Sequence, residues 1–200
     1  MSPIRCVFAA GMCVACLSFA AEGSITVATF DDPSSSSGTP LFERSGTLLT
    51  GEWDGLGMLL RTPGAPAPDY PDATFTMTPL TVVSDLGNFA MLSGGSIQFF
   101  DVLKNPILRI DFTGASLSNI LGVGASDFLA QNVVFSGTLV SSLPALTDES
   151  FGFSFANPIV TDAQHYTVTA AFTSSATVTP APASLAVLGL GGLLAARRRR

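Results

Sequence analysis

Few residues of the sequence have the types and spacing that catalysis requires. His165 is the single histidine, so any Ser-His-Asp site would have to use it, and a histidine-rich metal site is excluded by count. It precedes Tyr166 at the start of an alternating segment, and no Gly-x-Ser-x-Gly motif is present. The sequence favours an ordinary exposed histidine, and we expect the protein not to be an enzyme.

Acidic residues occur in close pairs that could serve a glycosidase or a calcium site. The pairs are Asp31 with Asp32, Glu52 with Asp54, Asp69 with Asp72, and Asp148 with Glu149. A glycosidase needs two carboxyl groups that face each other across a cleft, which spacing along loops does not establish. Loop oxygens also bind Ca²⁺, and Asp31 and Asp32 are the best candidates for such a site. Solvated loop acids are the simpler interpretation, so no other metal or cofactor is predicted.

The polar aromatic residues suggest a second kind of binding. Trp53, Tyr70 and Tyr166 could stack on sugar rings, although such side chains are more often buried in packing. A secreted carbohydrate-binding module and a secreted hydrolase with a carboxylate pair are therefore the alternatives to a protein without a site of its own.

The segments that would position these residues are short and alternate between apolar and polar side chains. In residues 107–112, Leu108, Ile110 and Phe112 share one face, with Arg109 and Asp111 on the other. Pro79 predicts a break within the alternating residues 74–83. Residues 125–131 are the single predicted short helix. An all-β body over residues 21–175 follows, and we expect a β-sandwich with jelly-roll-like connections.

The N-terminus has the pattern of a secretory signal peptide. Arg5 is its only charge, an apolar run extends over residues 6–21, and small residues follow. We assign residues 1–20 to a signal peptide read by the Sec translocon. An uncleaved anchor and a lipoprotein site at Cys16 are the alternatives.

The composition of the body changes once both ends are set aside. Arg5 and Arg197 to Arg200 account for five of the nine basic residues, whereas all fifteen acidic residues lie between Glu22 and Asp162, so four basic against fifteen acidic residues leave a charge of −11. Such a body lacks the basic patch that binding nucleic acid requires. The three cysteines all lie in the signal peptide, so the core must be held together by packing without disulfides.

The C-terminal residues 176–200 form a tail with three ordered parts. Pro180, Ala181 and Pro182 precede an apolar segment, residues 183–196, and Arg197, Arg198, Arg199 and Arg200 end the chain. As a helix the apolar segment would rise roughly 21 Å, which is short against a hydrocarbon core of about 30 Å. A plain tail anchor and a buried core element are the alternatives to a temporary membrane span.

At these residues the tail resembles the PEP-CTERM sorting signal, in which a Pro-Glu-Pro-like turn precedes an apolar segment and a terminal arginine cluster. The resemblance covers the tail alone, and the tail departs from the family at Ala181, where glutamate is usual. It implies transient membrane anchoring, removal of the tail by an exosortase, and delivery to the surface or extracellular matrix of a polysaccharide-producing bacterium. Exopolysaccharide is then a further expected partner, and the activity of the body is left open.

Overall fold

The computed structural model of the chain describes residues 23–34, 39–118 and 127–178. These residues form eleven strands and one short helix: β1 Gly23–Phe30, β2 Phe42–Ser45, β3 Leu48–Trp53, β4 Thr74–Met77, β5 Leu80–Asp85, β6 Phe89–Phe100, β7 Pro106–Ser118, β8 Asp127–Gln131, β9 Val134–Ser136, α1 Thr138–Ser141, β10 Leu146–Asp162 and β11 His165–Val178. The predicted signal peptide, residues 1–20, and the predicted C-terminal hydrophobic helix lie outside the described residues.

Side-chain alternation explains where the long strands form. In β7, Leu108, Ile110 and Phe112 are buried, and the Arg109–Asp111 pair lies on the opposite, solvent face as expected. In β11 the buried residues recur at every second position from Tyr166 to Ala176. This period of two places one apolar face of each strand on a common core.

The strands close into an antiparallel barrel, and the expectation of a jelly-roll-like sandwich is wrong. Eight strands form a ring in the order β2, β3, β5, β6, β7, β8, β10, β11, and β11 pairs back to β2. Alternation of apolar and polar side chains shows that each strand has one buried face. Two facing sheets and one closed sheet produce the same alternation, so the pattern does not distinguish a sandwich from a barrel. The pairing of the strands decides between them, and here six of the ten consecutive strand pairs are hydrogen-bonded and β11 pairs with β2 to close the ring.

Three positions of the barrel wall are each shared by two strands. Both β4 and β5 lie between β3 and β6, and they are separated at Thr78 and Pro79, where the sequence predicts a break. β8 and β9 lie along β7 in the same way, and β1 and β2 lie along β11. The barrel is thus an eight-position meander whose first strand pairs with its last.

Phenylalanine side chains fill the barrel. Those with less than 2% of their surface exposed are Phe30, Phe42, Phe75, Phe99, Phe128, Phe153 and Phe172. Phe153 lies among them, with ring centroids 4.7 Å from Phe42 and 5.3 Å from Phe172. Eight strands enclose a space that side chains can fill, so the barrel interior acts as the hydrophobic core.

The two ends of the barrel differ. The end that we call the hairpin end carries the turns between β2 and β3, between β5 and β6, and between β10 and β11. The end that we call the terminal end carries the paired residues Gly23 and Val178, the β6–β7 turn and the long β3–β4 connection. Among the described residues no helix is both long enough and apolar enough to cross a membrane.

Candidate functional site

The residues of the predicted sorting motif lie outside the described part of the chain. This applies to Pro180, Ala181, Pro182 and the arginines at positions 197–200, and to the apolar segment 183–196. The structure describes the chain up to Val178, which pairs with Gly23 at the terminal end. The first and last described strands of the body, β1 and β11, are therefore neighbours in the sheet.

The two calcium candidates are engaged in separate contacts. Asp31 forms an exposed ion pair with Arg61, whose Nη1 lies 3.4 Å from Oδ2. Asp32 accepts a hydrogen bond from the Ser34 amide at 2.9 Å and one from the Asn157 side-chain amide at 3.5 Å. No group of three or more metal-ligating side chains occurs within residues 23–34, 39–118 and 127–178. Calcium binding stays an untested prediction.

Three carboxylates of the other acidic pairs accept hydrogen bonds from backbone amides. Asp69 accepts the Thr62 amide at 3.0 Å, and Asp72 accepts the Gly57 amide at 2.8 Å, so both fasten the long β3–β4 connection. Glu149 accepts the Phe135 amide of β9 at 3.2 Å, which joins β9 to β10. These carboxylates replace backbone acceptors that the irregular chain lacks.

The histidine stabilises a turn. His165 Nδ1 lies 2.9 Å from both carboxylate oxygens of Asp162, across the turn that joins β10 to β11. Asp162 also accepts the Gln164 amide at 2.8 Å, and this bond, followed by the one with His165, lowers the pKa of its carboxyl. Among the described residues no serine hydroxyl bonds the His165 ring. The contact between His165 and Asp162 is therefore one that stabilises the turn.

The polar aromatic residues do not share a binding face. Tyr166 lies at the hairpin end, whereas Trp53 lies at the terminal end, and both are more than nine-tenths buried. Tyr70 is half-buried in the β3–β4 connection, where its backbone pairs with Leu60. A sugar-binding face built from all three residues is therefore wrong.

A buried polar cluster at the hairpin end was not predicted from the sequence. Arg44 points to the same face of β2 as Phe42 and is 6% exposed. Its Nη2 donates to Asp85 Oδ2 at 2.5 Å, and its Nε donates to the Gly46 carbonyl at 3.2 Å. Tyr166 is the cross-strand neighbour of Arg44 on β11. The alternation of Phe42, Glu43 and Arg44 was the signal that could have placed Arg44 inside.

A bulge in β5 brings Asp85 to this cluster. Val82 lies opposite Leu92 on β6, but Asp85 lies opposite Ala90. Three residue steps along β5 therefore correspond to two steps along β6. Ala90 and Leu92 share the buried face of β6, and the extra residue in β5 therefore turns Asp85 to that face. Without the bulge, Asp85 would lie on the opposite side from Val82.

The pKa values of the cluster follow its contacts. The hydrogen bond from Arg44 lowers the pKa of the Asp85 carboxyl, and the Gly87 amide adds to this effect. Burial raises the pKa of the Tyr166 hydroxyl, and the nearby Arg44 partly opposes the rise. The cluster is thus a charged pair, neutral as a whole, that closes one end of the core.

A pocket of about 240 Å³ lies on the barrel wall near the terminal end. Its lining comes from the end of β3, from β4, and from the end of β6 with the following turn: Glu52, Trp53, Asp54, Thr74, Phe75, Thr76, Phe100 and Lys104. Lys104 Nζ donates to Thr74 Oγ1 at 3.2 Å. The Trp53 indole nitrogen is buried and has no hydrogen-bond acceptor among the described residues, which costs about 1–3 kcal/mol.

No protein-family model, curated protein or solved structure matches the chain. Functional conclusions therefore depend on the sequence patterns and on the geometry of the barrel.

Proposed function

We propose that the chain is an exported, non-enzymatic protein of the cell surface or extracellular matrix. In this proposal the Sec translocon exports it through the N-terminal signal peptide, the apolar segment 183–196 holds it in the membrane for a time, and an exosortase removes the tail. The observation that carries the proposal is the order of the three tail parts: the Pro-Ala-Pro turn, the short apolar segment and the terminal arginines.

The architecture of the body supports a role as exported cargo. Its interior is filled by phenylalanines, and its charged side chains are, apart from Arg44, at least partly exposed among the described residues. Such a body is stable without disulfides, which agrees with the restriction of cysteine to the predicted signal peptide. Val178 precedes Pro180 by two residues, so the cleavage motif follows directly on a strand held in the barrel.

The test uses a duplicated tripeptide in the chain itself. Pro66, Ala67 and Pro68 repeat the sequence of Pro180, Ala181 and Pro182 within the β3–β4 connection. In a host with an exosortase, we expect replacement of Pro180 and Pro182 by alanine, or of the four terminal arginines by glutamine, to prevent removal of the tail. The same replacement at Pro66 and Pro68 is the matched control and should leave processing unchanged.

Mass spectrometry of the mature C-terminus and cell fractionation give the readout. A processed chain outside the cytoplasm, with its new terminus near Pro180, supports the proposal. A full-length cytosolic product, or processing that persists without the arginines, would contradict it.

A further inference from the structure

The pocket beside Trp53 combines exposed charges with one partly exposed aromatic ring. The carboxylates of Glu52 and Asp54 have no hydrogen-bond or ion-pair partner among the described residues, and they line the pocket with Lys104. Phe100 is the partly exposed aromatic side chain of the lining, whereas Trp53 is 7% exposed and Phe75 is fully buried. Exposed carboxylates without a partner beside an aromatic ring are available to a ligand.

The turn after β6 holds Lys104 in place at this pocket. Asp101 Oδ1 accepts the amides of Leu103 and Asn105, each at 2.8 Å, and Asp101 Oδ2 accepts the Asn105 side-chain amide at 2.9 Å. Lys104 itself has a φ of 65°, in the left-handed region that non-glycine residues seldom adopt. The position of Lys104 is therefore set before any ligand arrives, which reduces the entropy cost of binding.

The signs of the charges that line the pocket restrict the class of ligand. A simple anion would meet Glu52 and Asp54, and a simple cation would meet Lys104, so neither is matched by all three groups. A neutral ring with several hydroxyl groups can donate to both carboxylates and accept from the ammonium, because each hydroxyl does both. Its C–H face can lie against the partly exposed ring of Phe100. The volume of about 240 Å³ accommodates one such ring and not an extended chain.

We propose that this pocket binds a single neutral sugar ring, either free or as one unit of a glycan. The site differs from a face formed by Trp53, Tyr70 and Tyr166, since it uses Trp53 with acidic and basic neighbours at the terminal end alone. The proposal goes beyond the export proposed above and does not depend on it, because binding is measured on the purified chain.

The chain carries its own reporter for this test. Trp53 is the only tryptophan and lines the pocket, so intrinsic tryptophan fluorescence of the full-length chain reports on the surroundings of this one side chain. Methyl glycosides of glucose, galactose and mannose would be titrated in a detergent without sugar groups, and saturation-transfer NMR would follow the same ligands. We expect a saturable response with at least one glycoside in both measurements.

Two conservative variants and a matched control assign the site. Glu52→Gln and Asp54→Asn each remove one charged acceptor and should raise the Kd about tenfold. Glu43→Gln makes the same change on an exposed residue of β2 that does not line this pocket, and it should leave the Kd unchanged. Circular dichroism of each variant confirms that the barrel is folded.

Each other outcome would overturn the proposal. No saturable response to any glycoside in either measurement shows that the pocket does not take a neutral sugar. Saturation by tetramethylammonium or by sulfate, with no response to the glycosides, assigns the pocket to an ion instead. An equal loss of affinity in Glu43→Gln and in the two pocket variants shows that the sugars bind elsewhere.

Discussion

Arg44 is the only charged side chain among the described residues that is buried in the barrel. A guanidinium placed in an apolar core costs several kcal/mol unless a negative partner and other acceptors surround it. Asp85 and the Gly46 carbonyl supply these acceptors. The pair therefore contributes to stability mainly because losing Asp85 would leave Arg44 buried and without a counter-charge.

The first prediction tests this dependence. Asp85→Asn should lower the free energy of unfolding by about 2–4 kcal/mol at neutral pH, since Arg44 keeps its burial and loses its counter-charge. Asp111→Asn is the control, because the Arg109–Asp111 pair is about half exposed and should contribute little. Urea unfolding followed by circular dichroism measures both, and equal effects of the two variants would contradict the prediction.

The same pair predicts a pH dependence. The pKa of Asp85 is lower in the folded state than its ordinary value of 3.8, so its contribution is complete above that value and is lost as the pH falls through the folded pKa. Unfolding measured between about pH 6 and pH 2 should therefore show a steeper loss of stability for the unmodified chain than for Asp85→Asn. Parallel curves for the two proteins would show that another carboxylate is responsible.

At the scale of elements, the β5 bulge is the feature that positions the pair. A bulge adds one residue to one strand and reverses which side chains face inward beyond it. Val83 lies at the extra position and is 70% exposed, so its own side chain contributes little packing. The bulge accommodates this residue, so that Asp85, three residues after Val82, still faces the same side as Val82.

Deletion of Val83 should remove the bulge and leave Asp85 on the side of Arg44, because Asp85 then follows Val82 by two positions and still pairs with Ala90. We expect the deletion to lower the free energy of unfolding less than Asp85→Asn does, and Asp85→Asn to cost about as much in the deletion variant as in the unmodified chain. Chemical unfolding of the three proteins provides the comparison. A loss in the deletion variant as large as that of Asp85→Asn, with no further loss when the two changes are combined, would mean that the bulge itself is needed for the contact between Arg44 and Asp85.

The sequence could predict the strands better than their connections. The alternation around Leu108, Ile110 and Phe112 has one physical cause, burial of one face, and the structure confirms it. Ser126 and Asp127 resemble a helix start, so the sequence predicts a helix over residues 125–131; this prediction is wrong, because Asp127–Gln131 pairs with both β7 and β10 as a strand. Long-range pairing here outweighs a local capping signal.

The candidate site was predictable only in part for a similar reason. Trp53, Glu52 and Asp54 are adjacent in sequence and could be noticed together, but Lys104 and Phe100 join them only through the pairing of β4 with β6. Asp85 could not have been placed beside Arg44, because simple alternation from Val82 points it to the other side of β5. Both features depend on register, which local sequence does not specify.

At the scale of the whole molecule, β2 and β11 close the barrel, and the first strand joins it at the seam between β1 and β11. Ser174 lies at this seam and is 1% exposed, and its hydroxyl donates to the Ala28 carbonyl and accepts the Ala28 amide. These bonds fall where the register of β1 shifts between Thr26 and Ala28. The seam thus satisfies its backbone groups by a side chain where the ladder is irregular.

The pairing of Gly23 with Val178 leads to the last prediction. Paired residues of adjacent antiparallel strands lie about 5 Å apart, so a linker of a few glycines can join residue 178 to residue 23. A circular permutant of residues 23–178 opened at Gly87, in the exposed β5–β6 turn, should keep the β-sheet circular dichroism spectrum and one cooperative thermal transition. A permutant opened between Ala170 and Ala171 is the control, and it should fail to fold because it cuts β11 within the core. If the Gly87 permutant also fails to fold while remaining soluble, joining the strands of the β1–β11 seam is not sufficient to define the barrel, and the uninterrupted β5–β6 hairpin is required as well.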